Sequence, residues 1–272
     1  MAKENYVFLI GQARQIPAFK KDENGEDVTA MMSLMTLRRN IYDRAGNLQP
    51  KWDRPVISTS DKAMMRKMAE IGLHDIVEIK GTITTQNVKR GLRCPHCGEI
   101  SVQPGTITVI NPVYIGVREH LQNDTDGFRY LMDCAEISNQ AKIIGRVCKE
   151  PETMQTDEGQ TCTKYQVAVN RKLYIRGTEP EDHSDYPYVY SYGEVAEDDA
   201  LTLQVNTLIY LDGYIHTMKF DQNTVCQECG EPFKFPNQTL NITPYSVEYL
   251  RDYGELKPST HEDISITDEG LL

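Results

Sequence analysis

Two cysteine pairs carry the most specific chemistry in the chain. Cys94-Pro95-His96-Cys97-Gly98 and Cys226-Gln227-Glu228-Cys229-Gly230 each place two thiols three residues apart, ahead of a glycine. Two intervening residues let both thiolates face one tetrahedral ion, and the glycine admits the tight turn behind the second sulfur. A structural Zn²⁺ takes four ligands, and each pair supplies two. The spacing leaves two solutions: one four-cysteine zinc site shared between the halves of the chain, or pairing between the chains of a homodimer. Redox-active thiol pairs are the rival chemistry. His96, lying between two sulfurs, reads as a surface residue, and Cys134, Cys148 and Cys162, which lack such spacing, read as structural. The start Met1-Ala2-Lys3-Glu4-Asn5 is no secretion signal, and no run approaches the roughly 20 apolar residues that cross a bilayer. The expectation is a cytoplasmic protein away from membranes, where cysteines bind metal rather than pair as disulfides.

The elements that must position these hooks come as a repeat, offset by about 132 residues. Phe8-Leu9-Ile10-Gly11-Gln12 returns as Lys142-Ile143-Ile144-Gly145-Arg146, and Ile79-Lys80-Gly81-Thr82-Ile83 as Leu211-Asp212-Gly213-Tyr214-Ile215. The cysteine pairs follow in the same order, and Asn111-Pro112 is echoed by Asn241-Ile242-Thr243-Pro244. The polar run over 122–127 marks the boundary. Domains are therefore expected at 1–125 and 126–250, with a tail over 251–272.

Each unit reads mostly as strand. Strands are expected over 6–13 and 30–39, with a hairpin signal at Asn24-Gly25, and over 163–171 after Asp157-Glu158-Gly159. A third strand falls at 55–58 and 186–192. Short helices follow at 61–71, where Ala63, Met64, Met68 and Ile71 recur at helical spacing, and at 195–203. Strand four carries the Gly81 or Gly213 block, and strand five runs over 107–117 or 240–247. Five strands with a helix between the third and fourth is the order of an OB barrel. The fold class is thus all-β, two tandem OB-fold barrels, each with a Cys-x-x-Cys hairpin insertion between strands four and five. Gly11, Gly81, Gly145 and Gly213 fall inside strands, where they permit the coiling that closes a small barrel or simply punctuate turns.

The formal charge of −11 argues against a polyanionic partner. It is unevenly spread: residues 1–125 hold 17 Lys+Arg against 14 Asp+Glu, the remainder 12 against 26. A local groove can still be basic. No Asp/Glu/His constellation clusters at a catalytic spacing and no Gly-rich phosphate loop occurs, so the residues speak for a binding protein and not for an enzyme.

The second repeat resembles the bacterial single-stranded DNA-binding protein family. Ile143-Ile144-Gly145-Arg146-Val147 with Pro151-Glu152, Tyr165-Gln166-Val167-Ala168-Val169, the run from Tyr186 through Tyr192 to Gly193-Glu194-Val195-Ala196-Glu197, and Asp212-Gly213-Tyr214-Ile215 through Phe220 carry the resemblance. It implies non-catalytic, largely sequence-independent binding of single-stranded DNA in replication, recombination or repair. It also implies bases stacked on Tyr186, Tyr192 and Phe220, with Tyr174 near a further position. Stacking tolerates any sequence because every base has a π-face. Tyr186, Tyr188, Tyr190 and Tyr192 alternate along one strand face, which a packed or dimer-facing stripe also explains. Arg146 and Arg171 complete the expected surface of this repeat.

Repeat one matches less well. Trp52-Asp53-Arg54 aligns with the aromatic start of strand three and Tyr42 with Tyr174, but Ser58 stands for Tyr192 and Val88 for Phe220. Its Arg38, Arg39, Lys51, Arg54, Lys89, Arg90 and Arg93 suggest a grip on phosphate more than on bases. The ordinary family pattern lacks the cysteine insertions. Four barrels is the family's working set, which implies a homodimer. The tail, with six Asp+Glu against two Lys+Arg over 251–272, is similar in chemistry to the family's acidic tip that recruits replication and repair proteins; a solvated terminus explains it equally. An RNA-binding OB protein and an assembly module that has lost DNA binding are the alternatives.

Overall fold

The computed structural model describes residues 4–39, 41–43, 45–171 and 184–254. In the first half, β1 (Glu4–Ala13), β2 (Ala18–Lys21), β3 (Asp27–Leu37), β4 (Trp52–Asp53) and β5 (Val56–Thr59) precede α1 (Lys62–Ala69), β6 (Ile76–Arg93) and β7 (Ile100–Glu119). After α2 (Asp124–Asp133) and a 3-10 turn (Ala135–Ile137), the second half repeats the order. It runs β8 (Asn139–Val147), β9 (Glu152–Gln155), β10 (Thr161–Asn170), β11 (Ser184–Asp185), β12 (Tyr188–Tyr192), α3 (Glu194–Thr202), β13 (Leu208–Val225) and β14 (Pro232–Arg251).

Pairing closes each half on itself. β1 bonds to β6, β6 to β7, β7 to β5 in parallel, β5 to β3, and β3 back to β1. β8, β13, β14, β12 and β10 form the same ring. Five strands in a closed ring, with a helix between the third and fourth, is the OB topology. Closure leans on the strand glycines: a Cβ on Gly11 or Gly145 would press into the strand across the seam, and on Gly81 or Gly213 would collide with the carbonyl of Asn111 or Thr243 at a bulge.

The barrels join edge to edge through β1 and β8, antiparallel from Glu4 opposite Ile144 to Leu9 opposite Asn139. Their buried residues form one cluster that includes Val7, Leu9 and Ile79 from one side and Ala141, Ile143 and Leu211 from the other.

The run over 122–127, expected as the domain boundary, leads into α2. Asn123 caps α2 by accepting from the Asp126 N–H, and Leu131 and Ala135 bury against Ile10, Met35, Leu37 and Ile76 in a second small core. A cut at 125/126 falls in the first turn of this helix. The cysteine segments lie between strands four and five of each barrel, each at the turn of a continuous hairpin with strands of 18 and 20 residues.

Candidate nucleic-acid interface and metal centre

The two long hairpins lean together and bring all four cysteines to one point. The sulfurs of Cys94, Cys97, Cys226 and Cys229 lie within 4.8 Å of one another, with Cys94 to Cys229 at 3.8 Å and Cys97 to Cys226 at 3.6 Å. A tetrahedron with metal–sulfur bonds of about 2.3 Å has edges of about 3.8 Å, so the spacing fits a thiophilic ion within one chain. Gly98 and Gly230 take φ of 78° and 75° and turn back to donate to the carbonyls of Cys94 and Cys226, as a knuckle requires. The N–H groups of Cys229 and Glu228 pull the Cys226 thiol down, while Cys97 and Cys229, hydrogen-bonded to the same sulfurs, are pushed up, as in a cluster whose first thiolate is shared by its neighbours. Leu92, Phe233 and Phe235 pack behind the sulfurs, Gln103 donates to Thr224 at 2.7 Å, and Arg90 donates to Asn237.

The barrels are also latched by two matching ion pairs. Asp53, fully buried, accepts from Arg38 Nε (2.6 Å) and Nη2 (3.0 Å) and takes the Thr217 N–H of the other barrel at 2.8 Å. Asp185 does the same with Arg171 (2.5 and 2.7 Å) and the Thr85 N–H (2.7 Å). Arg54 and Tyr186 donate their own N–H groups to the hydroxyls of Thr217 and Thr85. Each aspartate therefore fixes an arginine beside a groove and locks the opposite hairpin base. The charge-assisted bonds, with those of neighbouring phenols, hold the Arg38 guanidinium above its ordinary pKa although burial works against this.

These devices gather the predicted residues in three places. Arg38, Arg39, Tyr42 and Lys51 converge on a cleft of about 410 Å³ with Tyr214 and Tyr245 of the second barrel. Arg38 lies over the Tyr214 ring at 5.1 Å, Arg39 over Tyr245 at 4.6 Å, and the two rings are 5.1 Å apart. Burial pushes Tyr245 up to about 12, so it stays a neutral phenol. Arg171, Tyr186 and Tyr188 line a larger groove of about 1040 Å³ between the barrels. Tyr188, Tyr190 and Tyr192 share the outward face of β12, with Val189 and Ser191 buried behind them. Lys149 and Lys164 sit over Tyr188 at 5.5 and 5.2 Å. Phe220, 43% exposed, shares a shallow depression on the hairpin arm with Arg90 and Lys219. Lys89 and Arg93 are exposed along the same arm, and Arg54 is exposed at its base.

Three expectations change. Trp52, half-buried, packs at a tilt on Phe128 of α2, ring centres 5.4 Å apart, beside the second core, and joins none of the three places. Arg146 bonds to Asp252 and to the Asn206 carbonyl and joins none of the three places. The parallel bridges Ile57–Ile110 and Val189–Ile242 set the repeat register, so Ser58 matches Tyr190 and Ser60 matches Tyr192. Tyr174 and the tail from residue 255 lie outside the described residues. Tyr214 and Tyr245 escaped sequence reasoning, since each meets its arginines only across the barrel junction.

The fold and the interface define a tandem OB-fold protein whose open faces carry aromatic rings beside cations. Residues 138–228 match the Single-strand binding protein family. "Single-stranded DNA-binding protein 2" of Streptococcus agalactiae serotype V is 32% identical over 85 residues, 31% of this chain and 63% of the relative. The chain thus spans less than two thirds of that protein. "Single-stranded DNA-binding protein B" of Bacillus subtilis strain 168 is 29% identical over 83 residues, 30% of this chain and 72% of its own length. The crystal structure of the wild-type single-stranded DNA binding protein from Thermus aquaticus superposes with a TM-score of 0.60 at 12% identity, over 96% of this chain and all of that one, and shows the shared fold. The likeness to this family is carried by residues 138–228 of the second half.

Proposed function

We propose that the chain binds single-stranded DNA without catalysing a reaction and with little regard to sequence, in replication, recombination or repair. The observation that carries this is the set of outward rings on the matched half, Tyr186, Tyr188, Tyr192 and Phe220, beside Lys149, Lys164, Lys219 and Arg90. Flat rings next to cations take bases of any identity while the charges follow phosphate. Stacking is assigned to these rings, and the cleft of Arg38, Arg39, Tyr42 and Lys51 with Tyr214 and Tyr245 is assigned a stretch of backbone and one base. The two halves act as two domains joined through α2.

The ion of the four-cysteine centre is Zn²⁺ in this reading, held by Cys94, Cys97, Cys226 and Cys229 to keep the hairpins as one arm. It serves architecture, since all four positions are filled by protein. A homodimer and recruitment of replication and repair proteins by the acidic tail belong to the same reading, in a cytoplasmic setting; sedimentation of the native protein tests the first. Among the described residues, no helix is long and apolar enough to cross a membrane.

Titration of fluorescent poly-dT and of a matched duplex at two salt concentrations tests the function. Tight binding of poly-dT alone, weakened by salt, is the expected result. No binding of either sinks the proposal, and equal binding of poly-rU turns it toward RNA.

A further inference from the structure

The two halves build the same shell and fill it differently. By strand register, Thr84, Gln86 and Thr108 of the first hairpin correspond to His216, Met218 and Leu240 of the second. The first set lines the groove of about 1040 Å³. A second space of about 510 Å³ shares Thr106, Thr108 and Thr239 with it and is walled by Met31, Val56, Phe235 and Leu240 together with Arg90, Gln103 and Asn237. The large groove exceeds the roughly 300–1,000 Å³ of small-molecule sites. Its described walls are hydroxyls, amides, two tyrosines, Lys149 and Arg171, and none of them is acidic, in a chain of net charge −11.

We infer that a DNA strand runs its sugar–phosphate backbone through this groove. The inference rests on the strand-binding reading above and adds a path to it. Thr, Ser, Asn and Gln side chains donate to phosphate oxygens as Arg and Lys do, without adding charge. Thr106 and Thr108 of the first hairpin stand in the groove wall, and Tyr186 and Tyr188 of the second barrel supply rings for the bases. Because Lys149 and Arg171 are the cations among the described walls of this path, and Asp185 already pairs with Arg171, those walls give the affinity a weaker salt dependence than a basic groove of this length would.

The test is to replace residues of the groove with those of the other half. Gln86→Met with Thr108→Leu installs the residues found at the equivalent places of the second half. Binding of labelled dT oligomers is read by anisotropy, with melting temperature as the control for folding. The variant is expected to keep its melting temperature and bind at least tenfold more weakly. Should it unfold, Thr106→Val with Lys149→Ala, both at exposed positions, decides by the same measure. Wild-type affinity in the folded variant overturns this inference and leaves the strand-binding reading standing. Failure of the wild-type protein to bind dT overturns both.

Discussion

Asp53 is one of two matching carboxylates that hold the barrels in register. Asp53→Ala removes both charge-assisted bonds to Arg38 and the acceptor of the Thr217 N–H. Deleting one partner of a buried ion pair costs about 3–5 kcal/mol, and stranding a buried N–H about 1–3 kcal/mol. Arg38 keeps 17% exposure and the face of Tyr214, which moderates the first figure. A joint loss of about 4 kcal/mol follows, a large share of the roughly 5–15 kcal/mol of a folded domain. With a urea slope of about 2–3 kcal/mol/M, the unfolding midpoint falls by roughly 1.5 M. Asp53→Asn keeps an acceptor for Thr217 and loses about half as much. Because the bond crosses between barrels, hydrogen exchange at the Thr217 amide must speed up in Asp53→Ala. A midpoint within about 0.3 M of wild type, or unchanged protection at Thr217, refutes the latch.

Burial raises the Asp199 carboxyl to about 6, while Tyr249 donates to it at 2.8 Å. A carboxyl whose folded value lies above its unfolded 3.8 binds its proton more tightly when folded, so the protein gains stability as pH falls from above 6 toward 4 and loses it on the way back. The span is about 3 kcal/mol, and Asp199→Asn flattens the pH dependence of the melting temperature in that window. Cys226→Ser, or a strong chelator, is expected to release one metal ion per chain and to let the hairpin tips around Leu92 and Phe233 exchange amide hydrogens freely, with both barrels still folded; metal analysis with hydrogen exchange reads both. Trp52 is the chain's one tryptophan and is packed on Phe128, so its emission should change little on adding poly-dT while tyrosine emission is quenched. Strong tryptophan quenching overturns the placement of that ring.

What was legible in the sequence was whatever recurs locally. Strand order, both short helices and the knuckles followed from alternation, helical spacing and Cys-x-x-Cys-Gly, because each is a property of neighbouring residues. A second hook at the same place of a repeat made a site shared within the chain one of two solutions, and the hairpins bring the four sulfurs together. The other contacts between the halves were illegible. α2 hid because its first turn is polar and carries Gly127, so its apolar residues Phe128, Leu131 and Met132 were too few to show a period. Asp53 and Asp185 read as ordinary strand-end carboxylates until Thr217 and Thr85 stood opposite. Trp52 was ambiguous for the same reason: an aromatic at the start of a strand fits a base platform or a core, and its contact with Phe128 was not visible in the sequence.

Photocrosslinking of a bromodeoxyuridine oligomer, with peptide mapping of the adducts, tests the central claim most directly. Adducts are predicted on Tyr186, Tyr188 and Phe220, and on Tyr42, Tyr214 or Tyr245 of the arginine cleft. An absence of adducts, or adducts confined to α1 and the outer face of β1 and β8, contradicts the account.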